Sequence, residues 1–193
     1  MNPLNSVPAA IITGVVLAIV VLVIMPGYTF NELSLARWLH IMSGVMWIGL
    51  LYYFNVAQIP ALAAAAADKG GPGGAGITKY VAPRALFWFR WAAVATWLTG
   101  AWFLARSGTF DDAFMLREGV QVIGIGAWLG TIMLFNVWVL IWPNQKKILG
   151  LVPATDEQKA QARKTALYAS RTNFILSIPM LLCMGSQSHG LPF

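Results

Sequence analysis

Residues 120–142 read VQVIGIGAWLGTIMLFNVWVLIW, and the reading of this stretch decides the fold. It carries no charged side chain, and a proline, Pro143, follows it. A helix crossing the hydrocarbon of a bilayer needs about 20 consecutive, mostly apolar residues. No water is available there, so every backbone N–H and C=O must find its partner within the segment, which selects the helix. Working outward, four more stretches have the same character, at 7–25, 35–59, 85–104 and 173–188. The whole chain agrees with them. Hydrophobic residues make up 58% of the 193 and charged residues 10%, and the mean hydropathy is +0.66. A soluble domain carries roughly 25% charged residues, so this chain cannot cover itself with a water-compatible surface. The expectation is an all-α polytopic bundle of about five spans, forming a single membrane domain over 1–193.

The joints between these spans have their own signals. Pro26-Gly27 closes the first span as a turn, and Asn31 is a candidate cap for the second. Pro60 closes the second. The DKGGPGGAG stretch at 68–76 reads as a flexible loop; it lacks the G-K-[ST] ending of a phosphate cradle. Residues 155–171 read as a polar helix on the cytoplasmic side. Thr155 would cap it, with Asp156 and Glu157 in the first turn, and it runs on into the last span. The N-terminus lacks the basic n-region and the small-residue cleavage site of a secretory signal, so 7–25 is expected to be a retained helix. Gly126 and Gly130 form a G-x-x-x-G pair, which marks close helix contact. Tryptophans cluster near helix ends, as interfacial belts do.

Orientation follows from the basic residues. Of the 13 Lys and Arg, only Arg37, Arg106 and Arg117 fall on the side opposite the N-terminus, which leaves ten (13 − 3) on the N-terminal side. Cytoplasmic loops carry such an excess. The N-terminus is therefore expected in the cytoplasm and the C-terminus in the periplasm, in a bacterial inner membrane. The net charge of +6 is then a mark of topology, and nucleic acid is excluded as a partner. The expected partners are the lipid bilayer and other membrane subunits.

Candidate chemistry is sparse. Cys183 is the single cysteine, which excludes an internal disulfide, and it lies in an apolar run as a buried small residue. The acidic residues all fall in loops, so no proton relay through the bilayer is expected. His40 and His189 are the only histidines. The span count puts both at the periplasmic side, on different helices. An ionisable group at membrane depth is a functional hypothesis by default, and two imidazoles at one depth are candidate ligands of one haem iron or of one shared metal ion. Arg37, one turn before His40, is a candidate partner for a haem propionate. Gly44 and Trp47 continue the His40 stripe, as a flat surface on which a macrocycle could lie. The competing readings are that His189 is simply hydrated, that His40 bonds a neighbouring helix, and that Gly44 is a helix-packing contact. A second polar set, Asn55, Asn136, Arg171 and Asn173 with Arg90, reads mainly as glue between helices, and otherwise as a place for a small anion or a quinone head.

Several stretches resemble a known family. RWLHIMSGVMWIG at 37–49, FRW at 89–91 with TWLTG at 96–100, IWPNQKK at 141–147, and SRTN at 170–173 followed by SIPMLLCMGSQSH are similar to the N-terminal membrane domain of bacterial membrane-bound urate oxidases. The resemblance implies a redox-linked membrane scaffold, in a short form without the family's cytochrome c domain. LHI followed by WIGL is more distantly similar to membrane protoporphyrinogen oxidases, which hold a b-type haem, and this implies His40 as a ligand. Positions where the family pattern implies histidines are Pro72, Phe87 and Thr172 here, and an acidic position is Ala92. The expectation is an auxiliary or structural subunit of an oxidoreductase or energy-transducing complex, not catalytic alone, with haem b as candidate cofactor. The alternative is a urate hydroxylase-like oxidoreductase passing electrons to the respiratory chain. A small-solute permease is disfavoured, because no carboxylate lies within a span.

Overall fold

A computed structural model describes residues 2–25, 27 and 29–192. The chain is all-helical, with no strand among the described residues. It divides into two compact units, Met1–Glu32 and Leu33–Phe193.

The first unit holds α1, Val7–Ile24. The Ser6 hydroxyl accepts the Ala9 N–H and so caps an otherwise unpaired donor, and a proline sits in the first turn, where its missing N–H costs nothing. None of its residues is buried, and its mean hydropathy is 3.0. A helix apolar on every face is stable in lipid and not in water. Gly27 follows with a left-handed φ of +72°, while Pro26, the other half of the expected turn, lies outside the described residues.

The second unit contains α2, Glu32–Ala67, whose first residue closes the first unit, then α3, Ala82–Arg106, the short α4, Phe110–Phe114, α5, Gln121–Ile148, and α6, Asp156–His189. With α1, the helices α2, α5 and α6 are long and apolar enough to cross a membrane. The expected third span is a continuous 25-residue helix, but α3 carries Arg84, Arg90 and Arg106 and is not among those four. The expected polar helix and last span are one unbroken α6 of 34 residues. It opens with a capping box: the Thr155 hydroxyl accepts the Gln158 N–H and the Gln158 side chain accepts the Thr155 N–H.

Two boundaries differ from the sequence reading, for one reason. α2 runs past Pro60, and α5 runs past Pro143. Each proline is preceded by a π-helical segment, Tyr53–Gln58 and Asn136–Ile141 respectively. A third such segment, Ile77–Val81, precedes Pro83 at the start of α3. A proline inside an α-helix lacks one N–H and drives its ring at the carbonyl four residues back. Widening the preceding turn to i→i+5 bonding moves that carbonyl and lets the helix continue. Ile59 N–H accordingly bonds the Phe54 carbonyl, and Trp142 N–H bonds that of Val137.

Within this unit α6 packs along the length of α5. Gly126 marks a close approach, since a Cβ placed there would lie 3.1 Å from Cys183 Cβ and from Met184 Cε. Gly130 is buried, yet a Cβ there would meet nothing within 4 Å. The core gathers Trp47, Leu51, Phe54, Leu86, Phe89, Met133, Val137 and Met180, with Phe54 edge-on to Phe89 at 5.4 Å. Around it the surface is apolar: Val45 is 66% exposed, Val56 66%, Phe135 56% and Ile175 65%. Apolar faces of this extent belong in lipid, so the chain is a membrane protein.

Candidate functional site

Two places in the second unit combine polar groups with burial. The first surrounds His40. Its Nδ1 lies 2.7 Å from the Thr96 carbonyl of α3. Thr96 turns its own hydroxyl onto the Ala92 carbonyl at 2.7 Å, which leaves its main-chain oxygen facing α2. The imidazole rests on Gly100, one turn further along α3, where a Cβ would approach its Cε1 to 2.9 Å. Nδ1 is then the donor and Nε2 keeps its lone pair. His40, Gly44 and Trp47 line one apolar cavity of about 320 Å³, together with Thr96, Met180 and Met184. Trp47 is 2% exposed, and its indole N–H has no hydrogen-bond partner.

The remaining residues of the sequence-derived set lie elsewhere. His189 is the exposed last residue of α6 and does not line the His40 cavity. Arg37 lies over the Phe103 ring, 5.0 Å from its centre. Beside Gly44, a Cβ would meet the Thr96 Cγ2 methyl at 3.8 Å, an ordinary van der Waals contact, and Gly44 keeps its place on the cavity wall. His40 alone has the orientation of an imidazole ligand. The set does not come together as one b-type haem site, since the cavity offers one imidazole and no cation lines it.

The second place is a lattice of amides further along the same helices, eight residues beyond Trp47 on α2 and seven before Met180 on α6. Asn136 Nδ2 donates to Asn173 Oδ1 at 2.8 Å, and Asn173 Nδ2 donates to the Met133 carbonyl at 3.0 Å. Asn173 is fully buried, and both ends of its amide are engaged. Asn55 Nδ2 donates to Ser170 Oγ and to the Leu51 carbonyl, both at 2.9 Å. These bonds tie α2 and α5 to α6, each within reach of a π segment. Nearby, Ser177 Oγ lies 3.3 Å from the Tyr52 hydroxyl. The two arginines of the expected polar set stand apart: Arg171 is exposed, and Arg90 stacks on Trp142 at 3.9 Å.

Sequence reasoning missed Thr96, Gly100 and Ser170. The first two were legible only as a small residue one turn after a hydroxyl on α3. Which helix His40 would meet was not encoded locally. Among the described residues, no group of three or more His, Cys, Asp or Glu side chains could hold a metal ion.

Residues 109–193 match the family described as urate oxidase N-terminal. The resemblance read from the sequence holds over this part of the chain, which contains IWPNQKK, SRTN and both amides of the Asn136–Asn173 pair. The 37–49 and 89–100 stretches lie outside it. No curated protein and no solved structure matches the chain.

Proposed function

We propose, taking the urate oxidase N-terminal match over residues 109–193 as premise, that the chain is an auxiliary, structural subunit of an oxidoreductase-related assembly. It sits in the cytoplasmic membrane of a bacterium. The observation that carries the reading is the use made of the buried polar groups. Asn136, Asn173 and Asn55 are engaged in tying helices together, as interhelical amides do in lipid. At the positions where the resemblance implies histidines and an acid, this chain has Pro72, Phe87, Thr172 and Ala92. Groups that would handle protons are replaced by groups that do not titrate. The basic residues Lys79, Arg84, Lys146, Lys147 and Lys159 flank helix ends that the positive-inside bias assigns to the cytoplasm.

Native mass spectrometry of the gently extracted protein, with a reduced-minus-oxidised spectrum of the same sample, tests this. A stoichiometric complex with a subunit carrying a redox cofactor is expected. Only free chain or its homo-oligomers would contradict it. A haem band in the isolated chain that disappears in His40→Ala would overturn the conclusion that the His40 set does not fit haem.

A further inference from the structure

The cavity of about 320 Å³ beside His40 is bounded by α2, α3 and α6. The His40 ring in its wall has a fixed orientation and a fixed tautomer. Nδ1 lies 2.7 Å from the Thr96 carbonyl, and a carbonyl only accepts, so Nδ1 carries the proton and Nε2 is an acceptor. The Nδ1–Cε1 edge faces α3: a Cβ on Gly100 would stand 2.9 Å from Cε1 and 3.0 Å from Nδ1, against 3.8 Å from Nε2. Nε2 has no hydrogen-bond partner among the described residues and belongs to a half-buried side chain, whereas the unpaired Trp47 indole N–H is sealed off. Thr96 is already engaged at both oxygens. Its hydroxyl donates to the Ala92 carbonyl, and its own carbonyl holds His40. His40 Nε2 is therefore the one polar atom that this otherwise apolar wall offers to an occupant.

The cavity opens toward lipid. Ile41, Val45 and Leu181 stand on its wall and are 54%, 66% and 45% exposed, on helices whose apolar faces belong in the bilayer. An occupant therefore arrives from the hydrocarbon. An acyl chain would fill the space and leave Nε2 unpaired. A molecule that brings one hydroxyl adds a hydrogen bond in a low-dielectric setting. Met180 and Met184, one turn apart on α6, line the same wall, and thioether sulfurs make favourable contacts with aromatic ring edges. Ligand pockets run from about 300 to 1,000 Å³, so this cavity suits a single ring. We infer that it binds a membrane-dissolved phenolic ring, with the ring hydroxyl donating to His40 Nε2 and the ring lying against the two thioethers. A phenyl ether or an acyl chain brings no donor and binds less tightly. The inference concerns binding, and it stands independently of the auxiliary-subunit reading.

The test uses the full chain, with isotopically labelled histidine, in phosphatidylcholine nanodiscs titrated with para-hexylphenol. Equilibrium dialysis should give saturable binding near one per chain. The His40 Nε2 resonance should move on binding, and the His189 resonances should stay in place. The methyl ether of para-hexylphenol keeps the ring and lacks the donor, and it should bind about fivefold more weakly, the factor set by one net hydrogen bond. Hexylcyclohexanol keeps the donor and lacks the aromatic ring, and it should bind about threefold more weakly. His40→Phe should bring the phenol and its ether to equal affinity. Val45→Trp, at an exposed position on the cavity wall, should abolish saturable binding by filling the mouth. Where His40→Phe does not fold, as judged by its unfolding midpoint, Val45→Trp and the Nε2 resonance of the native protein decide. Non-saturable partitioning, equal binding of the ether to the native protein, an unmoved Nε2 resonance, or unchanged affinity in the folded variants would overturn the inference. Equal binding of hexylcyclohexanol would assign the site to an aliphatic alcohol and overturn the aromatic ring.

Discussion

Asn173 shows how a single side chain sets the packing of this protein. Its amide donates to one helix through the Met133 carbonyl and accepts from the same helix through Asn136. Truncation to alanine leaves the Asn136 amide buried without its acceptor. Asn173→Ala should cost about 1–3 kcal/mol, read as a lower unfolding midpoint in detergent. Asn136→Ala in the same background should add little, because the pair acts as a unit. Additive losses would show that the two amides act separately. His40 is held in a comparable way, between the Thr96 carbonyl and the bare Cα of Gly100. Gly100→Val should push the imidazole off that carbonyl, and the imidazole nitrogen chemical shifts should move toward those of a freely tautomerising ring. Unchanged shifts would contradict the seating described here. At this scale the sequence was partly legible. The polarity of Asn55, Asn136 and Asn173 within apolar runs pointed to helix glue. The partner of His40 was not legible, since it is a main-chain oxygen and backbone acceptors leave no mark on residue identity.

At the scale of elements, the positions of the helices were legible and their ends were less so. Runs of apolar residues located α1, α2, α5 and α6 because hydrocarbon thickness sets a minimum length. Pro60 and Pro143 read as stops, and the helices pass through both. The rule failed because a π turn upstream of each proline removes the clash on which the rule rests, and i→i+5 bonding has no residue signature of its own. The G-x-x-x-G pair was legible as close contact but not as asymmetric contact. Gly126→Leu should separate α5 from α6 and cost about 1–3 kcal/mol, whereas Gly130→Ala should be nearly silent, as nothing lies within 4 Å of its added carbon. Equal effects in thermal unfolding would refute that geometry. The start of α6 is tuned by charge. The exposed Glu157 carboxyl is held below its ordinary value of 4.5 by its own backbone N–H and by the Thr155 hydroxyl. A depressed carboxylate contributes stability above its unfolded pKa and loses it as pH falls through the folded one. Hydrogen exchange of the first turn of α6 should therefore quicken as pH falls below about 4.5, once corrected for intrinsic rates, and a flat corrected profile would contradict this.

For the whole molecule, composition alone excluded a soluble fold, and the exposed apolar faces of the helices agree with it. Function was less legible, because the family resemblance is carried by helix-packing motifs. IWPNQKK fixes a proline after a π turn and a basic helix end, and SRTN places Ser170 and Asn173 in the amide lattice. Such motifs report how the scaffold is assembled. With Asn136 bonded to Asn173 and Asn55 to Ser170 across helices, these side chains serve packing, and the chain should have no turnover of its own. Urate consumption by the purified chain in nanodiscs, followed by loss of the urate ultraviolet band in air and with a one-electron acceptor added, measures this directly. No loss above the protein-free rate is expected. Catalytic turnover abolished by His40→Ala would contradict it and make the chain an enzyme.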